Sequence, residues 1–210
     1  MRGGAIALIA LAVLLVAADE GARRYEEARV ASSIQSALKL SAKPQVSLRG
    51  FPFLIEVAQG QIPSGQISLA TLKEGPLRYS QIHLLLLNLR FSFAQLLRGH
   101  LHTVHAASGI GSASVTQGSL NSFLRAHGAP FAVSFKKGRA ITKVGGFSAA
   151  ISVSVQISDR ALQISAGSLP TVSIPLSNLL PGLVYGSARP STRKLILNFR
   201  LNHPALDLRS

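Results

Sequence analysis

From Pro44 onward the chain repeats with a period of two. Ile151, Val153, Val155 and Ile157 alternate with Ser152, Ser154, Gln156 and Ser158, the pattern of a strand with one buried face. Leu195, Leu197, Phe199 and Leu201 alternate in the same way with Lys194, Ile196, Asn198 and Arg200. In "HLLLLNLRFSF", Leu85, Leu87, Leu89, Phe91 and Phe93 fall on one face, and the other face turns polar at Asn88, Arg90 and Ser92. Further strands are expected at Gln45–Val57, Gln66–Leu72, His102–Thr116, Phe131–Phe135 and Ala161–Ala166, with a short helix around Leu120–Ala126 closed by Gly128. Gly, Pro and Ser punctuate these segments and no long helix separates them. The sheet is therefore expected to be mostly antiparallel, with about eight strands, a size at which sheets curl.

The amino terminus obeys a different rule. After one Arg, an unbroken apolar run extends from Ala5 to Ala18. Those 14 residues span ~21 Å as a helix, short of the ~30 Å hydrocarbon core of a bilayer. The length suits a secretory signal, and Val16-Ala17-Ala18 resembles a small-residue cleavage site. A helical pattern nevertheless runs straight on, with Val30, Ile34 and Leu38 four apart. Asp19 with Arg23, and Glu20 with Arg24, form four-apart pairs in the favourable orientation. Residues 1–18 therefore read as a signal peptide or as an uncleaved membrane anchor, and export is expected either way. Residues 19–210 read as a single domain. Its helix lies against the concave face of the sheet, which either fills with side chains or encloses an elongated apolar cavity.

Composition narrows the chemistry. Apolar residues make up 47% of the chain and charged ones 14%, below the usual ~25%, so there is much to bury and little charge to cover it. The charge is lopsided, 22 Lys+Arg against 8 Asp+Glu, which favours anionic partners. Not one carboxylate lies between Glu74 and Asp159, and cysteine is absent, which excludes thiol nucleophiles and disulfides. No G-x-S-x-G elbow and no phosphate-binding glycine loop occurs. His100, His102 and His105 cluster, but on a strand His105 points away from the other two and no acidic residue stands near. Zinc takes three or four convergent ligands, so these are read as rim histidines, with no metal and no cofactor. The basic group Lys136, Lys137, Arg139 and Lys143 surrounds Gly138 at an expected hairpin turn. It is either a solvated loop or a lip that touches anionic lipid head groups and the membrane surface. Nucleic acid is not an expected partner, because an exported chain rarely meets it and no aromatic-basic interleaving is present.

Against that background "VSLRGFPFL" (Val46–Leu54) is informative, followed by "GQISLATLK", "LLLLNLRFSFAQLLRG", "SASVTQGSLNSFL" and "IPLSNLLPGL". Together these segments resemble the LmeA-like phospholipid-binding family over nearly the whole chain, with Gly50-Phe51-Pro52-Phe53-Leu54 as the most specific token. The histidine cluster and the scarcity of acidic residues depart from the family pattern. The resemblance implies an α+β fold like the tubular lipid-binding (TULIP) proteins, a long amino-terminal helix packed on a strongly curved, mostly antiparallel sheet. It also implies a phospholipid-binding protein of the cell envelope, with a part in assembling or moving envelope lipids.

The expectation is a non-enzymatic lipid-binding or lipid-transfer protein of the periplasm or cell envelope, holding acyl chains in an apolar cavity. Its ligand would be an anionic phospholipid or another envelope lipid. Candidate lining residues are Phe51, Phe53, Leu85, Leu87, Leu89, Phe91, Phe93, Ile151, Val153 and Val155. Gly50 and Pro52 are expected to bend a strand so that Phe51 and Phe53 point the same way, gating the cavity or plugging a core corner. The alternative is an envelope scaffold with a packed core that binds an envelope-assembly protein or a glycan. A third reading is a hydrolase of envelope lipid acting through the histidines.

Overall fold

The computed structural model describes residues 2–98, 103–143, 151–158, 160–176 and 182–207. In chain order, α1 (Arg2–Ala37) leads to β1 (Gln45–Arg49), α2 (Phe53–Ala58), β2 (Gln61–Glu74), β3 (Leu77–Arg90), α3 (Phe93–Leu97), β4 (Thr103–Thr116) and α4 (Gln117–Ala126). The remaining strands are β5 (Ala132–Lys136), β6 (Arg139–Lys143), β7 (Ile151–Ser158), β8 (Ala161–Ala166), β9 (Val172–Pro175), β10 (Leu183–Ser191), β11 (Lys194–Asn202) and β12 (Ala205–Asp207). A seven-stranded sheet has the order β1-β2-β3-β4-β11-β10, with β12 also paired to β4, and a five-stranded sheet runs β5-β6-β7-β8-β9. This is the expected α+β class, an amino-terminal helix on a large antiparallel sheet. The strands outnumber the expected eight because short, proline-bearing segments such as "VSIP" and "LVYGSARPS" pair as β9 and β10.

The chain forms two compact units. The first comprises Met1–Ile67, Leu85–Ala107 and Ala205–Ser210, and the second Ser68–Leu84 and Ser108–Pro204. In the first, α1 packs on β1 and α2. Ala31 is buried on its inner face, and Glu27 accepts the Leu48 N–H of β1 at 2.7 Å. Gly60 closes the turn after α2 with φ +70, and a Cβ there would lie 2.5 Å from the Phe91 carbonyl oxygen, so only glycine fits.

In the second unit α4 follows the β4 strand directly. Thr116 caps it by accepting the Ser119 N–H at 3.2 Å, and Gly128 at φ +68 follows its end as expected. Leu120, Phe123 and Leu124 are buried. Asn121 ties the helix to β5, donating to the Val133 carbonyl at 2.9 Å and accepting its N–H at 2.8 Å. β11 pairs antiparallel with β4 and β10. Its Leu195, Leu197, Phe199 and Leu201 are all buried, as the alternation requires.

Two sequence expectations are corrected. The Gln45–Val57 strand stops at Arg49, and α2 begins at Phe53 with Pro52 as its N-cap. Proline cannot donate to a strand ladder but suits a helix start, so a β-prone apolar run turns helical there. The single face Leu85, Leu87, Leu89, Phe91, Phe93 is also broken. Leu77 and Tyr79 are buried, then Ile82, Leu84 and Leu86, then Leu89. The parity switches at Gln81 (φ +48) and Asn88 (φ +50), each of which inserts a left-handed residue into β3 as a bulge does.

Candidate functional site

The Gly50–Glu56 corner is the most specific local structure of the first unit. Pro52, joined to Phe51 by a cis peptide, offers no side-chain acceptor to the first turn of α2. The acceptor comes from α1 instead. Asp19, 8% exposed, receives the backbone N–H of Phe53 at 2.9 Å and of Leu54 at 2.8 Å. A carboxylate suits this end of a helix, where unsatisfied N–H groups carry partial positive charge. The expected Asp19–Arg23 pair is therefore replaced. Glu20 takes both arginines, meeting Arg23 and accepting from Arg24 Nε at 2.8 Å, because an exposed pair is worth less than two charge-assisted bonds in a buried place.

The two phenylalanines separate. Phe53 is 1% exposed and Phe51 is 70% exposed. On a strand they would share a face; at a helix entry the chain turns between them, so the expected common direction is corrected. Phe53 plugs the core, while Phe51 stands outside with Leu54 and Ile55, 46% and 54% exposed.

Glu56 folds back over Gly50. A Cβ at Gly50 would fall 1.5 Å from Glu56 Oε2, so glycine leaves room for the carboxylate. That oxygen is shut off from solvent without a hydrogen-bond partner among the described residues, although the residue as a whole is half-buried. Its carboxyl is raised above the ordinary carboxylate range, first by desolvation, against a lowering hydrogen bond from the Phe51 backbone, and then by the charge of Asp19. The folded chain therefore holds this proton more tightly than the unfolded one. Its contribution to stability is present at low pH and is lost as pH rises through the raised value. Glu56→Gln, which mimics the protonated form, is expected to gain stability relative to the parent on going from about pH 4 to about pH 7. Urea unfolding across that range checks it, and a gain in the opposite direction contradicts it.

The other candidate lining residues fall in two places. In the first unit Leu85, Phe91 and Phe93 are half-buried and Leu87 is 36% exposed, whereas Leu89 is core at 5%. In the second unit Val153 is buried, with Ile151 and Val155 half-buried on the same side of β7. Sequence reasoning missed Asp19, Leu54, Ile55 and Glu56. The one available signal is the proline cap, since a helix starting at Pro52 needs an acceptor from elsewhere.

Lys136 and Arg139 pair across the end of the β5–β6 hairpin, and Lys137 and Gly138 form its two-residue loop with φ +44 and +76. Lys136, Lys137 and Arg139 are exposed, and Lys143 ends β6. Also in the second unit, a cleft of about 550 Å³ is lined by Lys73, Arg78, His127, Ser122 and Phe123 among others. His127 stacks on Phe123 with centroids 3.9 Å apart. His105 is exposed on β4 opposite Ala205; His100 and His102 lie outside the described residues.

The first unit leaves large apolar side chains open and the second displays a basic hairpin, each a feature suited to an amphiphilic ligand. The chain belongs to the LmeA-like phospholipid-binding family, whose model matches residues 17–199. A search of curated proteins and a search of solved structures each return no significant match.

Proposed function

We propose that the chain is a non-enzymatic phospholipid-binding or lipid-transfer protein of the cell envelope. In this reading residues 1–18 serve as signal peptide or membrane anchor, residues 19–210 form the lipid-binding domain, and the cargo is an anionic phospholipid or another envelope lipid. The family match across residues 17–199 carries the reading. The open apolar side chains support it, because a soluble surface seldom leaves so many large ones exposed without a partner. In the first unit acyl chains meet Leu85, Leu87, Phe91 and Phe93; in the second, Ile151 and Val155 are the matching candidates. The buried Phe53, Leu89 and Val153 back these surfaces rather than line them.

The hairpin cations Lys136, Lys137, Arg139 and Lys143 contact the head groups of the membrane the protein visits. Each basic residue at an anionic surface contributes about 1 kcal/mol. Lys137→Gln is thus expected to weaken binding to phosphatidylglycerol-containing vesicles about fivefold at low salt, with a smaller difference at high salt. An unchanged affinity would remove the hairpin from the contact surface. The function itself is tested by mixing the protein with donor vesicles carrying fluorescent phospholipid and unlabelled acceptors. Transfer that rises with protein concentration supports a carrier, and transfer at the spontaneous rate contradicts it.

A further inference from the structure

We infer that the outer face of α2 and the adjoining turn of α1 form an apolar wedge that seats in a phospholipid bilayer. This deepens the lipid-binding reading and rests on it for the identity of the surface contacted, and on residues 1–18 being retained as an anchor, since cleavage after Ala18 would remove Leu15 and Val16. Asp19 fastens the start of α2 to α1 through the Phe53 and Leu54 N–H groups. Leu15 and Val16 lie four and three residues before Asp19, on the same side of the helix. They are 59% and 52% exposed, and Leu14 is 66% exposed. Across the fastening stand Phe51, Leu54 and Ile55, 70%, 46% and 54% exposed. Leu15 and Val16 on α1 and Phe51, Leu54 and Ile55 around the start of α2 thus stand on either side of the fastening.

The polar groups of that end turn inward. Asp19 is buried against backbone donors, and Glu56 folds over Gly50 with one oxygen closed to solvent. Arg49 and Gln59 are exposed at its margin, but the outward side chains between them, Phe51, Leu54 and Ile55, are apolar, and monomeric proteins rarely leave such patches uncovered.

The direction of the chain identifies the cover. Going back from Asp19, the helix enters the run Ala5–Ala18, which carries no charge. Among the described residues no helix is long and apolar enough to cross a membrane. Apolar on every side, that run has no face to keep in water and finds an apolar phase by entering a bilayer. The α2 face lies where the run ends, so it enters with the helix and widens the contact. Arg23 and Arg24 follow Asp19 by four and five residues, about 6–8 Å farther along the axis, which sets them towards the water side of such a seat.

The chain has no tryptophan, so one introduced residue reports alone. The full-length protein is reconstituted in phosphatidylcholine vesicles with brominated acyl chains, as Ile55→Trp and as Leu38→Trp. Leu38 is 46% exposed and lies about 28 Å from Asp19 along the helix direction. The Ile55→Trp emission is expected to shift to the blue and to be quenched at least about twofold more than that of Leu38→Trp. The difference is expected to persist at high salt, unlike binding through the lysine hairpin. As a second variant, Leu54→Ser with Ile55→Ser replaces only exposed side chains and is expected to raise the fraction washed from vesicles several-fold. Equal, weak quenching at both sites overturns the wedge, as does loss of quenching accompanied by concentration-dependent self-association, which would make a second copy the cover. Lipid extraction from the same variant, purified and washed free of membrane without reconstitution, separates the two readings: bound phospholipid means that the wedge alone has failed, and none means that lipid binding falls with it.

Discussion

Gly111→Ala is expected to destabilise the second unit by about 3 kcal/mol, at the upper end of what overpacking costs. Gly111 sits in β4 directly opposite Phe199 of β11. A Cβ there would come within 2.4 Å and 2.5 Å of two Phe199 ring carbons and 2.7 Å of the His83 carbonyl oxygen. The ring has little freedom to retreat, being 8% exposed and in edge contact with Tyr185 at 6.1 Å. The carbonyl belongs to the backbone of β3, and moving it means moving the strand. Two independent obstructions place the effect at the high end. Chemical unfolding measures it, and an unchanged midpoint would mean that the strands do not approach this closely. In a Phe199→Leu background the ring's share should disappear while the carbonyl's remains, so the penalty should shrink without vanishing.

Asp19→Ala is expected to cost about 2–3 kcal/mol. It removes one carboxylate that satisfies two backbone donors, one of them fully buried at Phe53. Pro52 has no side-chain oxygen to take over. The amides of Phe53 and Leu54 should exchange hydrogen faster than in the parent, which a general loss of helix α1 would not confine to α2. Asp19→Asn keeps one acceptor oxygen and should cost roughly half as much. Losing the Asp19 charge also removes one of the causes that raise the Glu56 carboxyl, so the pH at which Glu56 titrates should fall. Unchanged exchange at both amides would mean that α2 is held by packing alone.

The parts of the fold legible in sequence are those where a single face is buried without interruption. β11 keeps strict alternation with every parity-selected residue buried, and in β7 the one buried residue, Val153, is on the face that parity selects. α4 was legible because its apolar residues recur at helical spacing and Gly128 stops it. β3 was not, because its faces change sides at Gln81 and Asn88. Asparagine tolerates a left-handed backbone and hints at such a switch, but glutamine gives no sign of one.

The candidate site was legible only in outline. "GFPFL" marked a change in chain direction, yet the short helix that follows covers six residues, too few for a 3.6-residue period to show. An apolar run of that length reads equally well as a strand. Asp19 bonds to residues 34 and 35 positions away, a separation no local pattern reports. The basic hairpin was legible because Lys137-Gly138 is turn chemistry flanked by alternating residues.

Phospholipid binding by this chain is tested most directly by mass spectrometry of the lipids extracted from the purified protein. Residues 1–18 are removed first and the sample is washed free of membrane, so that lipid held by the apolar run does not count. Phospholipid in stoichiometric amount, enriched over the lipid composition of the source membrane, is expected. A well-folded sample that carries none, and takes up none from anionic vesicles, would contradict it.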